Sequence, residues 1–270
     1  MKRVVLITTA AVFTATIISC KNEVPQIESE ISSSEINVEA PTSEIAMATP
    51  SDLTTNAESE ITYLYVTAPS GLSLREHSNL HSEKLGRMPY GTKVKVLKAE
   101  TDATMNVSGV KGGMNQVEFN HKKGFAFNGY LSKYFPPERD ISVKGYGTDL
   151  HEAFPSVIFT EEKGGTATKP SNTAGISLPD AQWHEAYIIA QRLFDFPKEF
   201  EFPNPKGKKT ETIFDGKPKK GVWTSQLEVT RKDDELEKIE YVYRSKGFGS
   251  TVSISKEGDV MKISRVETIE

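Results

Sequence analysis

Two histidines, His151 and His184, are each followed by a glutamate, which is how a zinc-protease motif begins. Such a protease needs a second histidine four residues after the first, because two imidazoles on one helix face ligate the metal while the glutamate acts as the base. Those places hold Pro155 and Ile188. The sequence therefore gives neither pair the ligands for metal catalysis.

Other patterns that suggest chemistry are also incomplete. His77 and His81 have metal-ligand spacing, but they fall in a predicted loop with no third ligand in sequence reach, so we interpret them as solvated loop histidines. Gly145-Tyr-Gly147 and Gly247-Phe-Gly249 carry half of the dinucleotide-binding glycine pattern, and we interpret both as turns. No Gly-x-Ser-x-Gly nucleophile elbow occurs in the sequence. The sequence predicts no metal and no cofactor.

Cys20 is the only cysteine in the chain. Lys2 and Arg3 precede an uncharged run over residues 4–18, which is the layout of a cleaved export signal and is too short to span a bilayer comfortably. The position of Cys20 resembles the lipobox of bacterial lipoproteins, which implies a signal peptide over residues 1–19 and a lipid on the thiol. The alternative is an ordinary secretory signal with an incidental cysteine.

A lipid on Cys20 has two consequences. It would hold the protein on a membrane of the cell envelope, facing the periplasm or the exterior. It would also leave no thiol for a disulfide or for nucleophilic catalysis, so the exported part must be stabilised by its cores alone.

Residues 20–61 are predicted to be a disordered acidic linker. The stretch is rich in Ser, Thr, Glu, Ala and Pro and has no aromatic residue, so it cannot bury enough surface to offset its ordering entropy. Up to residue 61 the chain has nine acidic residues against three basic ones, and the net charge of the whole chain is −4. The rest is near neutral, which gives no electrostatic footprint for a nucleic acid.

From residue 62 the sequence changes to short β-rich runs separated by turn residues, at the spacing expected of a small barrel. In the run 93–97, alternation places Val94 and Val96 on one face and lysines on the other, and Gly91 supplies the turn before it. Six strands are predicted: Tyr63–Val66, Leu72–Arg75, Lys93–Leu97, Gln116–Phe119, Gly124–Phe127 and Leu131–Tyr134.

Residues 62–136 resemble the bacterial SH3 (SH3b) domain. The resemblance rests on three ordered segments, which are Val66-Thr-Ala-Pro-Ser-Gly-Leu-Ser-Leu-Arg75, Gly86-Arg-Met-Pro-Tyr-Gly-Thr-Lys-Val94 and Gly124-Phe-Ala-Phe-Asn-Gly-Tyr-Leu-Ser132. It implies an all-β SH3-like barrel that binds peptides or the peptide stems of peptidoglycan in a shallow groove. The cell-wall peptidases that often accompany such domains use cysteine with histidine, and this chain has no cysteine left for that role.

The resemblance supplies a candidate ligand groove. Each of its aromatic residues has the alternative of a place in the core, because a domain of this size needs most of its large apolar side chains inside. Arg75 has the alternative of a structural hydrogen bond. The candidate residues are Tyr65, Arg75, Tyr90, Phe125, Phe127 and Tyr130.

The second half of the chain has a different pattern. Residues 137–175 look like an irregular connection, after which Ser177-Leu-Pro-Asp180 has the residues of a helix start with a capping box. A helix to about Asp195 would bury an aromatic face containing Trp183 and Tyr187. Four strands with short turns follow, at Val222–Arg231, Lys238–Arg244, Thr251–Ser255 and Val260–Val266. Residues 176–270 are therefore predicted to form an α+β domain with one helix on a four-stranded antiparallel sheet.

A lysine-rich loop precedes these four strands. It either touches anionic wall polymers or lipid head groups, or is simply a solvated charged loop. Its lysines are at positions 206, 208, 209, 217, 219 and 220.

The sequence leads to one functional hypothesis and two alternatives. The first is a membrane-anchored envelope lipoprotein whose non-catalytic SH3b module binds peptides or peptidoglycan stems. The second is a structural or assembly factor that contacts an envelope protein through the C-terminal domain. The third is an unrecognised enzyme, because acidic residues are plentiful and sequence alone cannot place two carboxylates around one bond.

Overall fold

The computed structural model describes residues 62–269. The predictions for the signal peptide, for Cys20 and for the acidic linker lie outside the described residues. Within this range the chain forms sixteen strands, two α-helices and one short 3-10 helix. Neither of these α-helices has the length and apolar character needed to cross a membrane.

The first half contains nine strands. Seven of them form an antiparallel sheet in the order β3-β2-β8-β7-β4-β1-β9, here called the first sheet, and β5 and β6 form a separate hairpin. In chain order they are β1 Thr62–Val66, β2 Leu72–Arg75, β3 Lys84–Met88, β4 Lys93–Lys98, β5 Met105–Val107, β6 Val110–Gly112, β7 Met114–Phe119, β8 Lys122–Phe127 and β9 Leu131–Ser132.

The predicted alternation along β4 places one face of the first sheet in the hydrophobic core. Val94 of β4 is buried and Val96 packs against the same core, while Lys93 is exposed, as the period of two requires. Gly91 has a φ of 79°, which fits the turn predicted before this strand. The six predicted strands are all present, and β3 and the β5–β6 hairpin are additional. The core of this sheet contains Val66, Leu72, Leu74, Met88, Val94, Val117, Ala126, Phe127 and Leu131.

The second half contains two helices and seven strands. The strands form one antiparallel sheet in the order β10-β11-β16-β15-β14-β13-β12, here called the second sheet. The elements are α1 Val143–Ala153, β10 Ile158–Gly165, β11 Pro170–Pro179, α2 Trp183–Leu193, β12 Thr210–Phe214, β13 Val222–Lys232, β14 Glu235–Ser245, β15 Phe248–Glu257 and β16 Val260–Ile269.

The predicted fold class is wrong. The structure is mostly β, with two seven-stranded antiparallel sheets, and it has no four-stranded sheet carrying one helix. The four predicted strands are present as β13–β16, but β10, β11 and β12 extend the sheet at both edges, and α1 is a second helix. The first sheet also runs between two edge strands, β3 and β9, and the ladder does not close it into a barrel.

Two of the three missed strands of the second sheet, β10 and most of β11, lie in residues 137–175, which are predicted from the sequence to be an irregular connection. β10 is charged and almost fully exposed, so it lacks the apolar alternation that marks a strand. β11 has that alternation in Ala174, Ile176 and Leu178, but it is short, with glycine and serine between these residues and threonine and proline on either side. β10 is an edge strand that pairs only with the next strand, β11, while β11 also pairs from Ser171 to Pro179 with the distant strand β16.

The predicted helix start at Ser177 is also wrong. Ser177 and Pro179 pair with Lys262 and Val260 of β16, so this segment ends a strand. Helix α2 begins at Trp183, where the capping box is formed by Gln182 and Glu185 instead, and the backbone N–H of Gln182 donates to Oε2 of Glu185 at 2.6 Å.

Both helices pack on the same face of the second sheet, α1 against β10 and β11 and α2 against β15 and β16.

The turn predicted at Gly145-Tyr-Gly147 is wrong, because residues 145–147 lie inside α1. A Cβ at Gly147 would lie 2.6 Å from the ring of Phe159, so the glycine permits close contact between helix and sheet. The Gly247 turn is confirmed, with a φ of 73°.

The two halves are joined directly after the first sheet. The hydroxyl of Tyr134 donates to the carbonyl of Pro179 at 2.7 Å, and the hydroxyl of Tyr146 donates to the carbonyl of Phe135 at 2.8 Å. Tyr134 and Tyr146 are almost fully buried, so the contact excludes water. Within residues 62–269, both sheets belong to one compact unit.

Arg231 of β13 supplies the first prediction. Its guanidinium is buried and donates to the carbonyls of Asn204 and Lys208, at 2.8 and 3.1 Å, and to the carboxylate of Glu211 at 2.8 Å. Replacement by methionine leaves the two carbonyls without their donor, so we expect Arg231→Met to lower the free energy of unfolding by about 2 kcal/mol.

Urea unfolding of residues 57–270, followed by tryptophan fluorescence, measures this change. Arg87→Met is the control, because Arg87 is exposed on β3 and its loss should change stability by about 0.5 kcal/mol or less. Equal stability of the two variants would contradict a structural role for the Arg231 hydrogen bonds.

Candidate functional site

The first sheet carries a groove with a volume of about 330 Å³. Three of the six candidate residues, Arg75, Phe127 and Tyr130, line it together. The remaining lining comes from the segment 68–73 and from Leu80, Val107 and Ser108. The structure thus brings half of the predicted ligand residues into one concave surface.

Strand β2 positions one wall of the groove. Leu72 and Leu74 point into the core and are buried, so Ser73 and Arg75 lie on the opposite face, where both line the groove. The turn before β2 requires Gly71, which has a φ of 82° and whose Cβ would lie 2.8 Å from the carbonyl of Met88. The alternation of β2 therefore fixes where the arginine is displayed.

Arg75 is the one charged residue among those that line the groove. Its Nη1 donates to the carbonyl of Ser82 at 2.7 Å, so the expected alternative of a structural hydrogen bond is present. The hydroxyl of Ser82 is itself held by the carbonyl of His77 at 3.0 Å. The same guanidinium therefore has a fixed position and lies at the groove surface.

Phe127 and Tyr130 also line the groove. Their rings lie 5.8 Å apart at 63°, an edge-to-face contact. Phe127 is only 3% exposed and belongs mainly to the core, whereas Tyr130 is half-buried. Burial raises the pKa of Tyr130, and its hydrogen bond with Ser108 partly offsets that effect, so the phenol keeps its proton at neutral pH.

Tyr65, Tyr90 and Phe125 do not line the groove. The ring of Tyr65 lies 5.9 Å from that of Phe135, in the segment that joins the two halves. Phe125 faces Arg75 across the β2–β8 ladder and packs against the core of the first sheet. For these two residues the alternative of a packing role is the one that the structure supports.

Tyr90 lies at the contact with the second half. Its hydroxyl donates to the carbonyl of Pro137 at 3.3 Å, and the guanidinium of Arg192 in α2 lies 5.5 Å from its ring centre. Burial raises the pKa of Tyr90 to about 12, with Arg192 acting in the opposite direction. The residue therefore serves the junction between the halves.

The histidines that suggested chemistry have structural roles. His184 is hydrogen-bonded to the backbone of Gly129, and its ring lies 6.4 Å from that of Tyr130. Glu185 caps α2, and burial raises the pKa of its carboxyl group. His151 bonds through Nδ1 to the carbonyl of Val157 at 2.8 Å. His77 and His81 are exposed in the β2–β3 loop, as predicted.

No group of three potential metal ligands from His, Cys, Asp and Glu occurs in the region 62–269. The helical pattern predicts a helix that includes His184, but it does not show that the imidazole contacts the first half of the chain. That contact is between residues more than fifty positions apart in the chain, Gly129 and His184.

Comparison with protein-family models finds no match, and comparison with curated proteins and with solved structures finds no significant similarity. The resemblance of residues 62–136 to SH3b domains therefore stays a prediction.

His184 gives a prediction on pH. Burial lowers the pKa of its imidazole from 6.5 to about 4, so between these values the unfolded chain binds a proton that the folded chain does not. The free energy of unfolding therefore has its full value above pH 6.5 and decreases as the pH falls toward 4, because protonation of His184 favours the unfolded chain. The size of this decrease is of the order of 2–3 kcal/mol.

Urea unfolding between pH 7 and pH 4 tests this prediction through the variant His184→Asn, which should depend less steeply on pH than the wild type. His81→Asn, in an exposed loop, is the control and should keep the wild-type slope. The raised pKa of Glu185 acts in the opposite direction in both proteins, so the comparison isolates the histidine. Equal slopes for His184→Asn and the wild type would rule this role out.

Proposed function

We propose that this chain is a membrane-anchored lipoprotein of the cell envelope whose non-catalytic, SH3b-like first half binds short peptides, such as the peptide stems of peptidoglycan. The observation that carries the proposal is the groove in which Arg75, Phe127 and Tyr130 meet. No catalytic step is assigned to it.

The lining of the groove favours a peptide that carries a carboxylate. Leu80 and Val107 offer apolar contact, and Ser73 and Ser108 offer hydroxyls that both donate and accept. Arg75 contributes a guanidinium, which matches the geometry of a carboxylate group. A volume of about 330 Å³ is at the lower end of the range for ligand pockets, which suits about two or three residues.

The position of Arg75 is fixed before a ligand binds. Its hydrogen bond to Ser82 and its place on a paired strand restrict the side chain. Less conformational entropy is then lost when a carboxylate binds. The guanidinium can therefore contribute to affinity although the groove is small.

The anchor is proposed from Lys2, Arg3, the uncharged run that follows them, and Cys20. One acyl chain holds a protein on a membrane only marginally, whereas two or more hold it firmly, at about 0.8 kcal/mol per buried methylene. A diacylglycerol on Cys20 would therefore keep the binding groove at a membrane surface.

Metabolic labelling with a palmitate analogue tests the anchor. We expect label on the wild type and none on Cys20→Ala, which should also leave the membrane fraction, because this thiol is the only one in the chain. Membrane retention of the unlabelled variant would contradict the proposal. An unlabelled wild type that is nevertheless exported would favour the ordinary secretory signal.

Two substitutions at Ser73 test the groove. Ser73→Glu places a carboxylate of the protein beside Arg75, where it competes with the carboxylate of the ligand. We therefore expect it to weaken binding of an acidic tetrapeptide with a free C-terminus by about tenfold. Ser73→Gln has nearly the same size without the charge and should change binding by about threefold or less. Titration calorimetry measures both, and amidation of the peptide should weaken binding to the wild type.

Retention of the same proteins on insoluble peptidoglycan extends the test to the polymer. The wild type and Ser73→Gln should be retained and Ser73→Glu released, with thermal unfolding followed by circular dichroism as the check on folding. Equal retention of Ser73→Glu and the wild type would exclude the groove as the binding site.

A second candidate function is that of an assembly factor that contacts an envelope protein through its C-terminal half. Two large aromatic side chains at one edge of the second sheet favour it, Phe214 of β12 with 71% exposure and Trp223 of β13 with 63%. Exposed aromatic residues are enriched at protein interfaces. Crosslinking from position 223 in living cells would capture a partner if this function is present.

A further inference from the structure

Helix α2 covers only part of the second sheet. Its eleven residues extend about 16 Å, whereas the eleven residues of β14 extend about 36 Å. Near the start of β14 the inner face carries Leu236 and Ile239, which pack in the core. Beyond the end of α2 the same face continues without a helix above it.

The uncovered part of the inner face forms a cleft with a volume of about 680 Å³, here called the C-terminal cleft. Its floor contains Tyr241 and Tyr243 of β14 and Phe248 and Ser250 of β15, and its wall is the segment 193–199 that follows α2. The size lies within the range of small-molecule sites. None of these residues belongs to the groove of the first sheet.

The inner face changes character where the cleft begins. Val252 and Ile254 of β15 are buried aliphatic residues beneath the helix, but Phe248 and Tyr243 are only partly buried, and their rings lie 6.1 Å apart at 59°. Partly exposed aromatic rings on a rigid sheet offer apolar faces for stacking. The cleft is thus lined by side chains suited to contact with a flat, partly apolar ligand.

Polar groups are fixed beside these rings. The hydroxyl of Ser225 donates to Oδ2 of Asp215 at 2.9 Å, and it lies 3.3 Å from the hydroxyl of Tyr241. Asp215 also accepts from the backbone N–H of Lys217 at 2.8 Å. A carboxylate has about four acceptor positions, so this aspartate retains capacity for hydroxyl groups of a ligand.

The charges around the cleft balance. Arg265 pairs with Glu267 at 3.1 Å and lies over the ring of Phe194 at 4.9 Å, so its charge is already matched within the site. The other lining residues add three lysines and three acidic residues, which are Lys198, Lys217, Lys219, Asp195, Glu199 and Asp215. A polyanion would need an excess of positive charge, and a wholly apolar ligand would leave the carboxylates without partners.

A neutral ligand with many hydroxyl groups satisfies these conditions. Its hydroxyls donate to the carboxylates and accept from the tyrosine, lysine and arginine groups, while its C–H faces stack on aromatic rings. We propose that the C-terminal cleft is a binding site for a neutral oligosaccharide of about two pyranose rings. This site is independent of the peptide groove.

Titration of the purified full-length chain with N-acetylglucosamine disaccharide and with cellobiose tests the proposal, read out by saturation-transfer NMR and calorimetry. We expect binding of at least one disaccharide. Ser225→Ala removes the hydroxyl that bridges Asp215 and Tyr241 and should weaken it about fivefold to tenfold. Tyr243→Leu keeps apolar bulk without the aromatic face and should weaken it as well.

Ser253→Ala is the matched control. Ser253 also donates to a carboxylate, Oε1 of Glu240 at 2.9 Å, but it lies on the opposite face of the second sheet from Val252 and Ile254. This variant and Ser73→Glu in the peptide groove should bind the disaccharide like the wild type. Thermal unfolding checks that all four variants fold.

Each of the following results would overturn the proposal. One is the lack of any disaccharide binding by the wild type. Another is wild-type affinity in both Ser225→Ala and Tyr243→Leu. The third is a clear preference for a sulfated disaccharide over the neutral ones, which would contradict the argument from charge balance. Loss of disaccharide binding in Ser73→Glu would place the site in the groove of the first sheet.

Discussion

The burial of helix α2 on the second sheet, together with its contacts to the first half, is the constraint on which the rest of the structure depends. Ala186, Tyr187 and Ala190 pack on the second sheet, while His184 contacts Gly129 in the first half of the chain. Because one short helix serves two partners, neither half can move without exposing apolar surface or leaving a polar group unpaired. The same helix sets the two candidate sites, since it contacts the residues next to the peptide groove and its end leaves the C-terminal cleft open.

The sequence predicts local pattern well and long-range pairing poorly in this chain. The alternation around Val94 predicted a correct strand, and the helical period around Tyr187 predicted helix α2 although not its start, because each pattern reports one face of one element. β10 has no such face, and its only partner in the ladder is β11, which is itself paired with the distant strand β16. The capping signal at Ser177 was misleading because Leu178 beside it completes the alternation of β11.

The two candidate sites also differ in how far the sequence predicts them. The resemblance to SH3b domains predicted Arg75, Phe127 and Tyr130 as groove residues, and the structure places them in one groove. It also assigned Tyr65 and Tyr90 to the groove, because the sequence does not show that residues after the first sheet contact both. The C-terminal cleft had no sequence signal. It results from a mismatch in length between a helix and the strands below it, and such a mismatch exists only once the elements are packed.

The buried guanidinium of Arg231 also changes the interpretation of the lysine-rich loop. Its hydrogen bonds to the carbonyls of Asn204 and Lys208 fix the backbone around Lys206, Lys208 and Lys209, whose side chains are exposed. A mobile loop loses backbone entropy when its charges meet a surface, at about 1–2 kcal/mol for each residue that becomes ordered. Here that entropy is lost during folding, so the backbone positions from which these three lysines project are set before any contact is made.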